Sequence, residues 1–129
     1  MALSRHLPSR QVLLAVAVGG TVGGAARTGA WLLSAAVLPQ VPGWAVLVVV
    51  NLLGSFAMGL AVAARGGGWA RPAVTTGLLG GFTSFSGWVL DVMRLLEPAP
   101  VLALALLVAV PVATVAACVV GLVAGGERP

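Results

Sequence analysis

The sequence predicts an all-α membrane protein of four transmembrane helices, the third broken mid-membrane. Three observations lead there. Of 129 residues, 60% are hydrophobic and only 8% are charged. A soluble domain carries about 25% charged residues, so these few charges cannot coat a water-exposed globule, and the apolar content excludes disorder. The apolar runs are divided by turn residues into stretches long enough for one crossing each, which takes about 20 residues. Finally, one stretch holds a glycine doublet followed by Thr and Ser, which is poor helix.

The spans follow from the charge-free stretches. The first is placed near 10–34. The second is near 43–64, after a turn at Pro39-Gln40-Val41-Pro42. Arg65-Gly66-Gly67-Gly68-Trp69-Ala70-Arg71-Pro72 is a basic, glycine-rich turn before a third span near 72–96. Glu97-Pro98-Ala99-Pro100 turns the chain into a fourth span near 101–123, interrupted by Pro111. Residues 1–129 thus form a single four-helix transmembrane domain with no second domain. Arg5 and Arg10 before an apolar run, with Gly24-Ala25-Ala26 after it, also resemble a secretory signal. Against that, Gly19/Gly23 and Gly20/Gly24 form overlapping GxxxG pairs, which let helices approach closely in lipid.

The net charge is +4, and every basic residue is Arg. The arginines are scattered at span ends and do not cluster on one face, so nucleic acid is not the expected partner. They report orientation instead. Arg5, Arg10, Arg65, Arg71 and Arg128 share one side, against Arg27 and Arg94 on the other, which predicts both termini in the cytoplasm of a multi-pass cell-membrane protein. Cys118 is the only cysteine and His6 the only histidine, which leaves no disulfide within the chain and no Cys/His metal motif. There are no paired carboxylates and no Ser–His–Asp set, so no enzyme is expected.

Few polar residues remain inside the spans. Asn51 and Ser55 lie four apart on one helix face, with Met58 and Gly59 continuing it. A buried Asn is costly in hydrocarbon unless paired or wet, so Asn51 faces protein or water. The stretch Gly80-Gly81-Phe82-Thr83-Ser84-Phe85-Ser86-Gly87-Trp88 reads as a broken span, which frees carbonyls for a hard cation and exposes a helix N-terminus. A glycine-kinked helix with hydroxyls bonded back to carbonyls is the plainer alternative. Phe85 and Trp88, three apart, are expected on one face. Aromatic ring edges, an Asn amide and Ser/Thr hydroxyls are weak donors without a fixed charge, suited to a small anion that must enter and leave. Asp91 is the only carboxylate inside a span and lies near its end. That counts against the alternative of a small four-helix multidrug, proton-coupled exporter; a structural membrane subunit is a further alternative. In the fourth span Thr114 is the only hydroxyl.

At these residues the chain resembles the CrcB/Fluc fluoride channels. Gly23-Gly24-Ala25-Ala26-Arg27 is similar to the family's Gly–Ala–x–x–Arg motif. Asn51 to Gly59 resembles Asn–x–x–Gly–Ser–Phe–x–x–Gly, and Gly80 to Asp91 resembles Gly–Gly–x–Thr–Thr–Phe–Ser–Thr–Phe–Ser–x–Glu. The resemblance implies an antiparallel, dual-topology-type dimer with two fluoride pores that let cytoplasmic fluoride leak out passively, relieving its toxicity. It implies a structural sodium ion at the dimer interface, held by the carbonyls of Gly80 and Thr83. It further implies that Asn51 donates to fluoride, that Phe85 faces the pore, that Ser86 belongs to its polar side with Ser55 and Trp88 along the path, and that Arg27 sits near the vestibule.

The departures from the motif are Ser84 for Thr, Gly87 for Thr, Trp88 for Phe and Asp91 for Glu. All lie on the implied path, which points to an altered pore. An antiparallel homodimer needs a chain that inserts both ways. The arginine bias instead suggests a heterodimer with a homologous, oppositely inserted subunit.

Overall fold

The computed structural model describes residues 8–64 and 67–126, and these are helical throughout apart from turns. Arg5, His6, Arg65 and Arg128 lie outside the described residues. Three helices are long and apolar enough to cross a membrane: α1 (Arg10–Val37), α2 (Gly43–Ala63) and α6 (Pro100–Gly126). Between α2 and α6 runs an interrupted helix. It comprises α3 (Ala70–Pro72), a π-helical segment (Ala73–Leu79), α4 (Gly80–Phe82), two extended residues, and α5 (Phe85–Leu95).

Local chemistry explains the ends. The Ser9 hydroxyl caps α1 by accepting from the Val12 amide at 3.4 Å. α1 ends where the Leu38 amide returns to the Ser34 carbonyl, the Pro39–Pro42 turn closes when the Val41 amide donates to the Leu38 carbonyl, and α2 starts directly after Pro42. Pro100 opens α6, where its missing N–H is no loss. Arg71 donates to the Val62 carbonyl at 3.0 Å, satisfying the C-terminal end of α2.

Association in lipid gains little from apolar burial, since acyl chains are as apolar as Leu; close packing and hydrogen bonds do the work. Glycine provides the close packing. A Cβ on Gly59 would strike the Cys118 carbonyl, and one on Gly121 would strike the Phe56 carbonyl, so α2 and α6 meet backbone to backbone. The same holds where α1 meets the interrupted helix. A Cβ on Gly23 would collide with the Leu78 carbonyl, and one on Gly77 would lie 2.8 Å from the Val16 carbonyl. The GxxxG face of α1 is therefore used within the chain, with Gly19 and Gly23 at the contact and Gly24 open. Trp88 and Val92 on α5 pack with Ala103 and Val110 on α6 to form the small apolar core. The broad exposure of Leu and Val along α1 and α6 suits a surface solvated by lipid.

Candidate functional site: a clamped break beside two cavities

Thr83 (φ −81°, ψ 155°) and Ser84 (φ −149°, ψ 109°) leave the helix. Their position follows from where the freed backbone finds partners. The Ser84 amide, which in a continuous helix would bond the Gly80 carbonyl, donates instead to Asn51 Oδ1 at 2.8 Å. Asn51 Nδ2 donates in return to the Ser84 carbonyl at 3.2 Å. The buried amide of Asn51 thus pairs with both backbone groups of one residue, as a neighbouring strand would. Ser84 Oγ accepts from the Gly87 amide at 3.1 Å and caps α5. The Thr83 hydroxyl bonds back to the Leu79 carbonyl at 3.0 Å. From α1, Arg27 Nη1 donates to the Thr83 carbonyl at 3.2 Å. Gly54 makes room for the break on α2, since a Cβ there would strike the Thr83 methyl.

Two cavities meet at Ser84, which lines both. The inner one, about 250 Å³, is bounded by Asn51, Ser55, Thr83, Phe85, Trp88, Pro111 and Thr114 and carries no formal charge. The outer one, about 390 Å³, is bounded by Arg27, Trp31, Ser86, Gly87, Asp91 and Arg94. Arg94 and Asp91 form an ion pair there at 3.3 Å. Asn51, Ser55, Phe85 and Trp88 therefore come together at the inner cavity, while Ser86 and Arg27 lie at the outer one.

Phe85 and Trp88 both line the inner cavity but differ in cover: Phe85 is 72% exposed, whereas Trp88 is 1% exposed against the apolar core. The residues are three apart, but α5 begins at Phe85. That ring therefore stands at the free first turn, while the helix body carries Trp88 inward against α6. The Trp88 Nε1–H has no partner among the described residues.

Sequence reasoning gave Thr114 no role, yet it lines the inner cavity with its hydroxyl turned to the Pro111 carbonyl at 2.8 Å. The contact from Arg27 to the break was also missed. The signal was present, since a cation this far along an apolar helix needs a partner.

The donors suit a hard cation in part. Gly80 is exposed and the amide that would bond its carbonyl is diverted to Asn51, so that oxygen is available for a cation. The Thr83 carbonyl already accepts from Arg27. Among the described residues no group of three His, Cys, Asp or Glu could hold a metal ion.

Fold and site together define a helical membrane protein with an uncharged, partly open cavity, apolar with a few hydroxyl and amide groups, beside a broken helix. Residues 14–125 match the family model described as CrcB-like protein, Camphor Resistance (CrcB). The chain belongs to this family. It is 39% identical over 120 residues to the Fluoride-specific ion channel FluC of Paracoccus denitrificans, covering 90% of this chain and 95% of that one. The protein of the same name from Roseobacter denitrificans is 38% identical over 120 residues, covering 88% and 90%. That from Methylobacterium nodulans is 43% identical over 90 residues, covering 65% and 70%.

Proposed function

We propose that this chain is a subunit of a fluoride-specific channel that lets cytoplasmic fluoride leave the cell passively. The inner cavity carries the reading. It offers weak donors from Asn51, Ser55 and the aromatic edges of Phe85 and Trp88, and no cation that would trap the ion. Asn51 spends one N–H on Ser84 and retains a second. The outer cavity, with Arg27 and Ser86 at its wall, serves as the vestibule where anions gather before losing water.

Four crossings, both termini cytoplasmic, and pairing with an antiparallel second subunit complete the proposal. The exposed Phe85 ring supports the pairing: it borders the inner cavity yet is left uncovered, as expected where a second subunit completes the wall. A sodium ion at the interface would be held by the Gly80 carbonyl, and by that of Thr83 when Arg27 releases it. Bound there, the ion would neutralise carbonyls that the break has deprived of amides. The arginine bias favours a heterodimer with a homologous, oppositely inserted subunit over a homodimer.

A fluoride electrode outside fluoride-loaded liposomes tests the reading, with the chain reconstituted alone and with such a homologue. Fluoride efflux without chloride efflux is expected. No fluoride flux in either preparation would refute the channel. Robust flux from the chain alone would refute the need for a different partner.

A further inference from the structure

Adjacent residues of the break are held by different helices. Asn51 of α2 holds Ser84 through two hydrogen bonds, and Arg27 of α1 holds the Thr83 carbonyl through one. Among the described residues, Arg27 is the only cationic side chain bonded to the break. The guanidinium is carried there by a stiff connection. α1 touches the segment leading to the break backbone to backbone at Gly19, Gly23 and Gly77, so the base of the Arg27 side chain has little freedom to shift.

The place it reaches is the C-terminal end of the helical run from Ala70 to Phe82. Carbonyls without helical partners gather at such an end, and the helix dipole makes it negative. A cation is favoured there, and the chain supplies one. Two cations on a single carbonyl would repel strongly in surroundings of low dielectric constant.

We infer that Arg27 is a positioning residue that serves as the resident cation of the break, and that its guanidinium and an alkali-metal cation are alternative occupants of the Thr83 carbonyl. The inference rests on the sodium reading above and adds to it a competitor encoded in α1. Cation binding at the break then requires Arg27 to withdraw toward the outer cavity, which its side chain already lines. Sodium occupancy and the charge facing incoming anions become linked through one side chain.

Thermal unfolding of the purified full-length protein, with its partner subunit if one is required, tests this. Sodium chloride replaces N-methylglucamine chloride at constant ionic strength, and the midpoint of the sodium effect is read for wild type, R27Q and R27K. Removing the competing charge is expected to lower the midpoint at least about tenfold in R27Q, with R27K in between because a flexible ammonium pins one carbonyl less firmly. R27Q that folds only in sodium would also support the inference. Equal midpoints for R27Q and wild type would overturn it while leaving the sodium site intact. If R27Q is unfolded in both media, R27K decides, and a midpoint unchanged from wild type overturns the inference. Absence of any sodium effect in wild type and R27Q alike would overturn the sodium reading and this inference with it.

Discussion

Exchanging Asn51 for Asp alters the break at one atom. Aspartate keeps the acceptor for the Ser84 amide, now 2.8 Å from Asn51 Oδ1, but loses the donor that meets the Ser84 carbonyl at 3.2 Å. An oxygen then faces an oxygen at that distance. The part-buried carbonyl deprived of this donor costs about 1–3 kcal/mol. The Trp88 amide still donates to it at 3.4 Å, which argues for the lower half of that range. A carboxylate held at mid-membrane adds about 2.5–3.5 kcal/mol by insertion scales. The expected penalty against the clamped break is thus about 4 kcal/mol, close to a thousandfold in population. Initial fluoride efflux from liposomes containing N51D should therefore fall by at least about a hundredfold, a margin that allows partial rescue by water. N51D with an efflux rate within about threefold of wild type, and with unchanged thermal stability, would refute the clamp as the element that shapes the path.

Other substitutions probe separate parts of the structure. G59A and G121A should each destabilise by about 1–3 kcal/mol, because the added methyl meets carbonyls of the facing helix. G126A has nothing within 4 Å and should leave the melting temperature unchanged. W88F deletes the unpartnered indole N–H, which offsets lost packing, so its stability should lie within about 1 kcal/mol of wild type, against about 3–5 kcal/mol lost in W88A. D91N breaks an ion pair whose Arg94 side chain is 73% exposed, and a stability change under about 1 kcal/mol is expected by denaturant titration.

Parts of this arrangement were legible in the residue order because their causes are local. Pro39 and Pro42 dictate a turn whatever surrounds them. Gly80-Gly81 followed by Thr and Ser announces weak helix, and a lone Asn in an apolar run must find a polar partner. The residue at which the backbone departs was not legible. It is set by Asn51, 33 positions upstream, offering its oxygen to the Ser84 amide. The Arg27 contact spans 56 positions, and nothing in local spacing encodes it. The unequal cover of Phe85 and Trp88 has the same origin: α5 starts at Phe85 under the Ser84 cap, which leaves the first ring uncovered while the helix body carries Trp88 against α6. Periodicity also reads the π-helical segment Ala73–Leu79 as ordinary helix, because nothing in its residue types marks the one extra residue per turn.

That π-helical stretch between Arg71 and the break carries a mechanical meaning. A widened turn holds surplus chain in the same length of axis. Removing one residue from Ala73–Leu79 would let the rod tighten into ordinary α-helix, which covers nearly the same rotation with one residue fewer, so everything beyond would stay close to its present phase. Thr83 would keep its arginine and Ser84 its asparagine. The loose coil therefore works as a phase adjuster: a one-residue deletion within it should be tolerated, whereas the same deletion in the ordinary helix of α5, where each residue turns the chain by about 100°, should not.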